Sequence, residues 1–158
     1  DKLTGVKNNT AYLQEIAFIK NEIYQKKADF SLFVIDANGL KFINDNYGHE
    51  LGNELIIKVT QMIQELFGAE QLYRIGGDEF AVILYHGTEE LCAEYEKRFE
   101  EIIMNQKGKI WASASIGHAT YSDKVDTNYE SVFNRADEDM YENKIRMKSE
   151  GKNSRVLE

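Results

Sequence analysis

Three carboxylates stand at the ends of two predicted strands, where they could bind a metal ion together. Asp36 closes a short apolar run, while Asp78 and Glu79 follow a glycine pair that separates two further runs. If these strands are neighbours, the carboxylates meet at one end of a sheet. Hard oxygen ligands with room for phosphate oxygens suit Mg²⁺, which is typical of phosphoryl transfer. The alternatives are an ordinary hairpin with solvated acids and a helix-capping role for Asp36.

A second group of residues could bind phosphate. The segment 36–41 reads Asp-Ala-Asn-Gly-Leu-Lys and predicts a strand-to-helix turn whose backbone N–H groups could hold a phosphate, with Lys41 adding charge. Positive charge is also concentrated within nine residues near the C-terminus, at Lys144, Arg146, Lys148 and Lys152. The alternative for this cluster is a solvated helix end, which the helix dipole favours.

Apolar periodicity predicts the elements that position these residues. Helical spacing predicts helices over about 9–27, 51–66, 88–108 and from Thr127 onward, and part of 37–50 is also predicted to be helical. Thr88 is the predicted N-cap of the third of these helices, and Thr127 with Glu130 predicts a capping box for the last. Strand patterns cover 30–35, 72–75, 80–85, 110–116 and 153–157.

The arrangement of these elements predicts the fold class. Gly76 and Gly77 predict a tight hairpin, because both residues can adopt positive φ without a Cβ clash. Strands joined alternately by helices and a hairpin predict an α/β (α+β) fold. We expect a central mixed or antiparallel sheet of about five strands, flanked by helices, rather than a regular doubly wound sheet.

Length and charge narrow the classes of function. The chain has 158 residues, enough for one domain, and 42% of them are apolar. A net charge of −8 argues against a surface built to bind nucleic acid or anionic lipid. No stretch approaches the roughly 18–20 apolar residues that cross a bilayer. Cys92 is predicted to be a reduced core residue, and the three histidines are too scattered in sequence to suggest a zinc site by spacing.

Taken together, these segments resemble the GGDEF domain of the diguanylate cyclase family over nearly the whole chain. The motif itself is intact, as Gly76, Gly77, Asp78, Glu79 and Phe80. Four further blocks resemble the family pattern in the same order: 1–8, 36–49, 136–141 and 148–153. We therefore expect a single GGDEF domain over 1–158 with a nucleotidyl-cyclase or palm-like fold, excised from a longer protein, with Leu157 and Glu158 derived from cloning.

The resemblance implies an enzyme that condenses two GTP molecules into cyclic di-GMP and pyrophosphate across a face-to-face homodimer. Asp36 and Asp78 through their carboxylates, and Ala37 through its backbone carbonyl, would bind two Mg²⁺ or Mn²⁺ ions per half-site. Asp78 and Glu79 would be the catalytic acids, and which of the two is the general base stays open. No contact with nucleic acid or directly with a membrane is expected.

The resemblance also implies how GTP is bound. Gly39 and Leu40 would offer backbone amides to the phosphates, Lys41 would add charge, and Asn44 would bind the guanine edge. Lys148 and Lys152 would bind the far end of the triphosphate; either Lys144 or Lys148 could fill the first position, and the spacing to 151–153 favours Lys148. Asn53 stands where the family usually has Asp, which weakens guanine selectivity, and Lys152 replaces the usual Arg.

The sequence also predicts that one inhibitory motif is missing and leaves two alternative functions open. Residues 67–70 read Phe-Gly-Ala-Glu, so the product-inhibition motif R-x-x-D is missing. The departures at Asn53 and Lys152 leave open a non-catalytic domain that binds GTP as an effector, and Asn53 leaves open a cyclase with relaxed purine specificity. The domain is expected in the cytoplasm, joined to sensory or regulatory domains in a parent protein that could be membrane-anchored.

Overall fold

A computed structural model describes residues 1–157, so the expectation for Glu158 lies outside the described part. The helices are α1 (Asn9–Tyr24), α2 (Leu40–Tyr47), α3 (His49–Phe67), α4 (Glu89–Met104) and α5 (Tyr129–Ser149). The strands are β1 (Phe30–Ala37), β2 (Leu72–Arg74), β3 (Glu79–Tyr85), β4 (Ile110–Trp111), β5 (Ala114–Thr120) and β6 (Arg155–Val156). No helix within these residues is long and apolar enough to cross a membrane.

The central sheet is antiparallel throughout, which confirms the predicted class. Its four strands lie in the order β2-β3-β1-β5, whereas about five were expected. The difference arises at Ser113, which interrupts the strand predicted over 110–116. Its N–H donates to the Ser154 hydroxyl at 2.8 Å, and its carbonyl accepts from the Asn38 N–H at 2.8 Å. β4 therefore leaves the sheet and pairs with β6 instead.

Two local predictions were wrong. Neither Gly76 nor Gly77 has positive φ, because residues 75–79 form a loop wider than a two-residue turn, with Arg74 paired to Phe80 across its base. The N-cap of α5 is Asn128, not Thr127: its side-chain oxygen accepts from the Ser131 N–H at 2.9 Å, and asparagine is among the strongest N-caps. Thr88 caps α4 as predicted.

The core lies on both faces of the sheet, because every residue of β1 is buried. Phe33 and Ile35 belong to the core on the side of α3 and α4, and Leu32 and Val34 to the core that contains residues of α1 and α5. Alternate strand residues point to opposite faces, which explains the division. Cys92 is buried and free, as predicted.

Helix α5 lies directly against the edge strand β5 at Gly117. A Cβ at this position would stand 2.0 Å from the Met140 backbone nitrogen and 2.5 Å from the Ala136 carbonyl oxygen. Both are backbone atoms, so only a residue without a side chain allows this approach. Because Lys144 follows Met140 by about one turn, the contact also determines where that lysine lies.

We predict that Gly117→Ala destabilises the domain, because α5 must move away from β5. Overpacking of this kind costs about 1–3 kcal/mol, and each kcal/mol lowers the melting temperature by about 2–4 °C for a domain of this size. Thermal unfolding followed by circular dichroism measures the effect. Gly77→Ala is the matched control, since no atom lies within 4 Å of its added Cβ; equal melting temperatures for the two variants would contradict the prediction.

Candidate functional site

The antiparallel pairing of β1 with β3 brings the three predicted carboxylates to one end of the sheet. Asp36 and Glu79 are paired directly across the two strands, and paired residues of an antiparallel sheet point to the same face. The Ala37 N–H donates to the Asp78 carbonyl oxygen at 2.8 Å, which fixes the loop before β3 against the end of β1. The adjacency that the sequence required of these strands is therefore present.

Burial and mutual repulsion raise the pKa of two of these carboxyls. For Asp36, burial is the largest cause, and the charge of Asp78 adds to it, while the hydrogen bond from Lys144 opposes them. For Glu79, burial is again the largest cause, followed by the charges of Asp36, Asp137 and Asp78. The site therefore holds more negative charge than one lysine balances.

Lys144 is the cation that reaches these carboxylates. Its Nζ lies 2.5 Å from Asp36 Oδ2. Burial acts to lower the pKa of Lys144, but the hydrogen bond and charge of Asp36 outweigh burial and raise it. Lys148 lies one turn further along α5, is exposed, and forms no ion pair within residues 1–157. Lys144 is therefore the lysine that contacts the carboxylates, and the prediction that Lys148 binds phosphate stays a prediction.

The loop between β1 and α2 is held in place by Asn38, a residue that the sequence analysis did not single out. Its amide donates to the Ser113 hydroxyl at 2.8 Å and its side-chain oxygen accepts from the Ser115 hydroxyl at 3.0 Å. Gly39 follows with φ of 80° and caps α2 without a side-chain hydrogen bond. The first N–H groups of α2, at Leu40 and Lys41, therefore have no partner within the helix and can bind an anion.

The Asn44 side chain lies against Gly52, the residue that precedes Asn53 on α3. A Cβ on Gly52 would stand 1.8 Å from Asn44 Oδ1, so the glycine makes room for that side chain. Within residues 1–157 the Asn44 oxygen is buried and accepts no hydrogen bond, so the N–H group of a ligand could reach this acceptor once the side chain rotates. Asn53 follows Gly52 on α3 and is exposed.

Lys152 lies beside the β1–α2 loop, but acids hold its ammonium group. The Ser113 hydroxyl donates to its carbonyl oxygen at 2.6 Å, and the neighbouring Asn153 side chain lies against Gly39. The Nζ atom of Lys152 is 3.0 Å from the Glu150 carboxylate and 3.3 Å from the Glu100 carboxylate. Lys152 must leave these two carboxylates before it can bind phosphate.

The donor set at the end of the sheet fits a divalent metal ion. Asp36, Asp78 and Glu79 supply hard oxygen ligands, and the charge excess indicates a cation beyond Lys144. Oxygen ligands of this kind, with few nitrogen donors, suit Mg²⁺ or Mn²⁺. The backbone of Ala37, at the end of β1, lies at the same place.

We predict that Glu79→Gln stabilises the domain at neutral pH. A carboxyl whose pKa folding raises destabilises the folded state when it is ionised. The gain in melting temperature is therefore present above the raised pKa of Glu79 and disappears in acid below its ordinary value. Melting temperatures measured across this pH range test the sign. Glu94→Gln on the exposed face of α4 is the control. A melting temperature of Glu79→Gln at neutral pH that is equal to or lower than that of the wild type would contradict the prediction.

Comparison with known proteins supports the family resemblance. Residues 1–150 match the family model "Diguanylate cyclase, GGDEF domain". The chain is 29% identical over 151 residues to diguanylate cyclase DgcN of Escherichia coli, covering 91% of this chain and 36% of DgcN. It is 30% identical over 149 residues to diguanylate cyclase DgcS of Shewanella oneidensis, covering 91% of this chain and 49% of DgcS.

The fold is also similar to that of a solved GGDEF domain. The structure superimposes on the GGDEF domain of DgcB from Caulobacter crescentus, solved in complex with c-di-GMP, with a TM-score of 0.80 and 25% identity, covering 97% of this chain and 91% of that one. The chain spans less than half the length of the two curated relatives. Over the residues that carry the carboxylate site, the chain belongs to the GGDEF domain family of diguanylate cyclases.

Proposed function

We propose that this domain is a diguanylate cyclase, which condenses two GTP molecules into cyclic di-GMP and releases pyrophosphate. The observation that carries the proposal is the meeting of Asp36, Asp78, Glu79 and Lys144 at one end of the sheet, beside free N–H groups of α2. Acids that could hold metal ions thus lie next to groups that could hold phosphates. Phosphoryl transfer depends mainly on such positioning and charge stabilisation.

The residues divide the work of binding one GTP. The amides of Gly39 and Leu40 bind phosphate oxygens, Asn44 Oδ1 accepts from the guanine N–H groups with Asn53 beside it, and Lys41, Lys144, Lys148 and Lys152 are the cations available to the phosphate chain. Of the last group, Lys144 is nearest the carboxylates. When bound at Asp36, Ala37 and Asp78, two Mg²⁺ or Mn²⁺ ions supply positive charge to the phosphates.

Glu79 is the better candidate for the general base. Its pKa is raised above the ordinary value of a glutamate, and a base acts best when its pKa approaches the working pH. Asp78 then serves mainly as a ligand. Because each 3′-hydroxyl must attack the α-phosphate of another GTP, and one domain binds one GTP, two copies must face each other as a homodimer.

We propose two finer properties and one alternative function. The segment 67–70 lacks an arginine, so we infer that the product has no primary inhibitory site there. The domain belongs to a longer cytoplasmic or membrane-anchored protein whose other domains sense a signal. The second candidate function, a non-catalytic domain that binds GTP as an effector, draws its support from Lys152, whose ammonium group is held by Glu100 and Glu150.

We predict that a dimer forced by a coiled coil fused before Asp1 converts GTP and Mg²⁺ into cyclic di-GMP, identified by mass spectrometry, and that added product does not slow the initial rate. Asp78→Ala is expected to be inactive.

Lys144→Met and Lys148→Met form a matched pair of variants. We expect Lys144→Met to lose more activity, because only Lys144 reaches Asp36. GTP binding without product would support the effector function instead, and a larger loss from Lys148→Met would refute the assignment of Lys144.

We predict that Asn53 relaxes the choice between purines. Asn53→Asp restores two acceptors for guanine, and a hydrogen bond to a charged group is worth about 1.5–3 kcal/mol. We expect the ratio of kcat/KM for GTP to kcat/KM for ATP to rise about tenfold or more. The value for ATP is measured in mixtures that contain both nucleotides. Asn21→Asp on exposed α1 makes the same change in charge and should leave the ratio unchanged. An unchanged ratio for Asn53→Asp would show that Asn44 alone selects the base.

A further inference from the structure

A second cluster of ionisable side chains lies away from the GGDEF carboxylates. It contains an imidazole and three carboxylates from α4, β5 and α5: Glu89, Glu96, His118 and Asp139. His118 is paired with Phe33, three residues before Asp36 on β1. Three residues span about 10 Å of strand, and positions an odd number apart point to opposite faces. The cluster is therefore separate from the site proposed for Mg²⁺.

The spacing of three of these side chains matches the ligand sphere of a transition metal. One ligand atom each from Glu96, His118 and Asp139 lies within 4.8 Å of the others. His118 Nδ1 is 2.8 Å from Glu96 Oε1 and 3.6 Å from Asp139 Oδ2. A tetrahedral ion with ligands at about 2.0–2.1 Å holds them about 3.4 Å apart. The two distances from His118 Nδ1 lie on either side of this value.

The second ring nitrogen of His118 is already held as it is in known zinc sites. His118 Nε2 lies 3.1 Å from Glu89 Oε2, and Nδ1 lies 2.8 Å from Glu96 Oε1. Both ring nitrogens therefore face a carboxylate, so an ion that binds Nδ1 replaces the proton there while the Nε2 hydrogen stays with Glu89. Histidines that bind metal commonly donate their other N–H to a carboxylate in this way. The backbone N–H of His118 also donates to Asp139 Oδ2 at 2.9 Å and orients that carboxylate.

The cluster carries more negative charge than its own histidine can balance. Three carboxylates face one imidazole, and none of them forms an ion pair with lysine or arginine within residues 1–157. The side chains of His118 and Glu96 are only 11% and 21% exposed, so water screens their charges weakly. Glu89 and Asp139 are more exposed and leave a path by which an ion can enter.

We propose that Glu96, His118 and Asp139 form a Zn²⁺ site, with Glu89 orienting the histidine. A nitrogen ligand beside two carboxylates suits Zn²⁺ better than Mg²⁺, which takes oxygen ligands almost exclusively. The bound ion joins α4, β5 and α5. Because α5 also carries Lys144, zinc holds in place the helix that supplies the cation of the carboxylate site.

The test is a titration of the metal-free domain with Zn²⁺ alone. Calorimetry measures the binding, and thermal unfolding measures the melting temperature with and without the ion. We expect one ion per chain bound at micromolar zinc and a rise in melting temperature on binding. His118→Gln should abolish this binding, and Glu89→Gln should weaken it by about tenfold or more, as loss of an orienting carboxylate does. His86→Gln, which removes an exposed histidine paired with Asp29, is the matched control and should bind as the wild type does.

Two further measurements keep the outcome clear. Asp78→Asn should retain zinc binding, which separates this site from the GGDEF carboxylates, and Co²⁺ should show a visible absorption band that His118→Gln removes. If His118→Gln fails to fold, Glu96→Gln and Asp139→Asn replace it. Zinc binding that survives these substitutions, or no binding by the wild type at millimolar zinc, would overturn the proposal and leave the cluster as a network of ion pairs around a protonated histidine.

Discussion

The position of β1 between β3 and β5 is the constraint on which both sites depend. Its register with β3 places Asp36 opposite Glu79, and its register with β5 places His118 three residues further along and on the other face. Neither arrangement can shift by one residue, because such a slip would turn every buried side chain of β1 to the wrong side of the sheet. The apolar core therefore determines the positions of the charged groups.

Helix α5 provides the second constraint, since it brings groups to both faces of the same sheet. Its close approach at Gly117 allows Asp139 to meet the backbone of His118 and Lys144 to meet Asp36. The two contacts lie on one helix within about one and a half turns. A change in how α5 packs on β5 would therefore move both at once, which links the carboxylate site to the cluster around His118.

The carboxylate site shows why a net charge of −8 does not argue against the GTP binding proposed above. Burial and mutual repulsion raise the pKa of Asp36 and Glu79, so the folded protein bears an electrostatic cost there. Sites that carry such a cost are frequently functional, because the groups are held where chemistry needs them rather than where stability would place them. Net charge excludes a broad basic surface, and it says little about a local site.

The sequence by itself determined the order of the elements, the buried central strand and the motif residues, because these depend on local periodicity and on side-chain type. It could not decide which lysine reaches Asp36, because the answer depends on how far α5 extends and on its contact at Gly117. It also missed Asn38, whose partners Ser113 and Ser115 are distant in the chain. The scattered histidines suggested no zinc site, and only the tertiary structure placed three carboxylates around one of them, because the histidine and these acids lie on three separate elements.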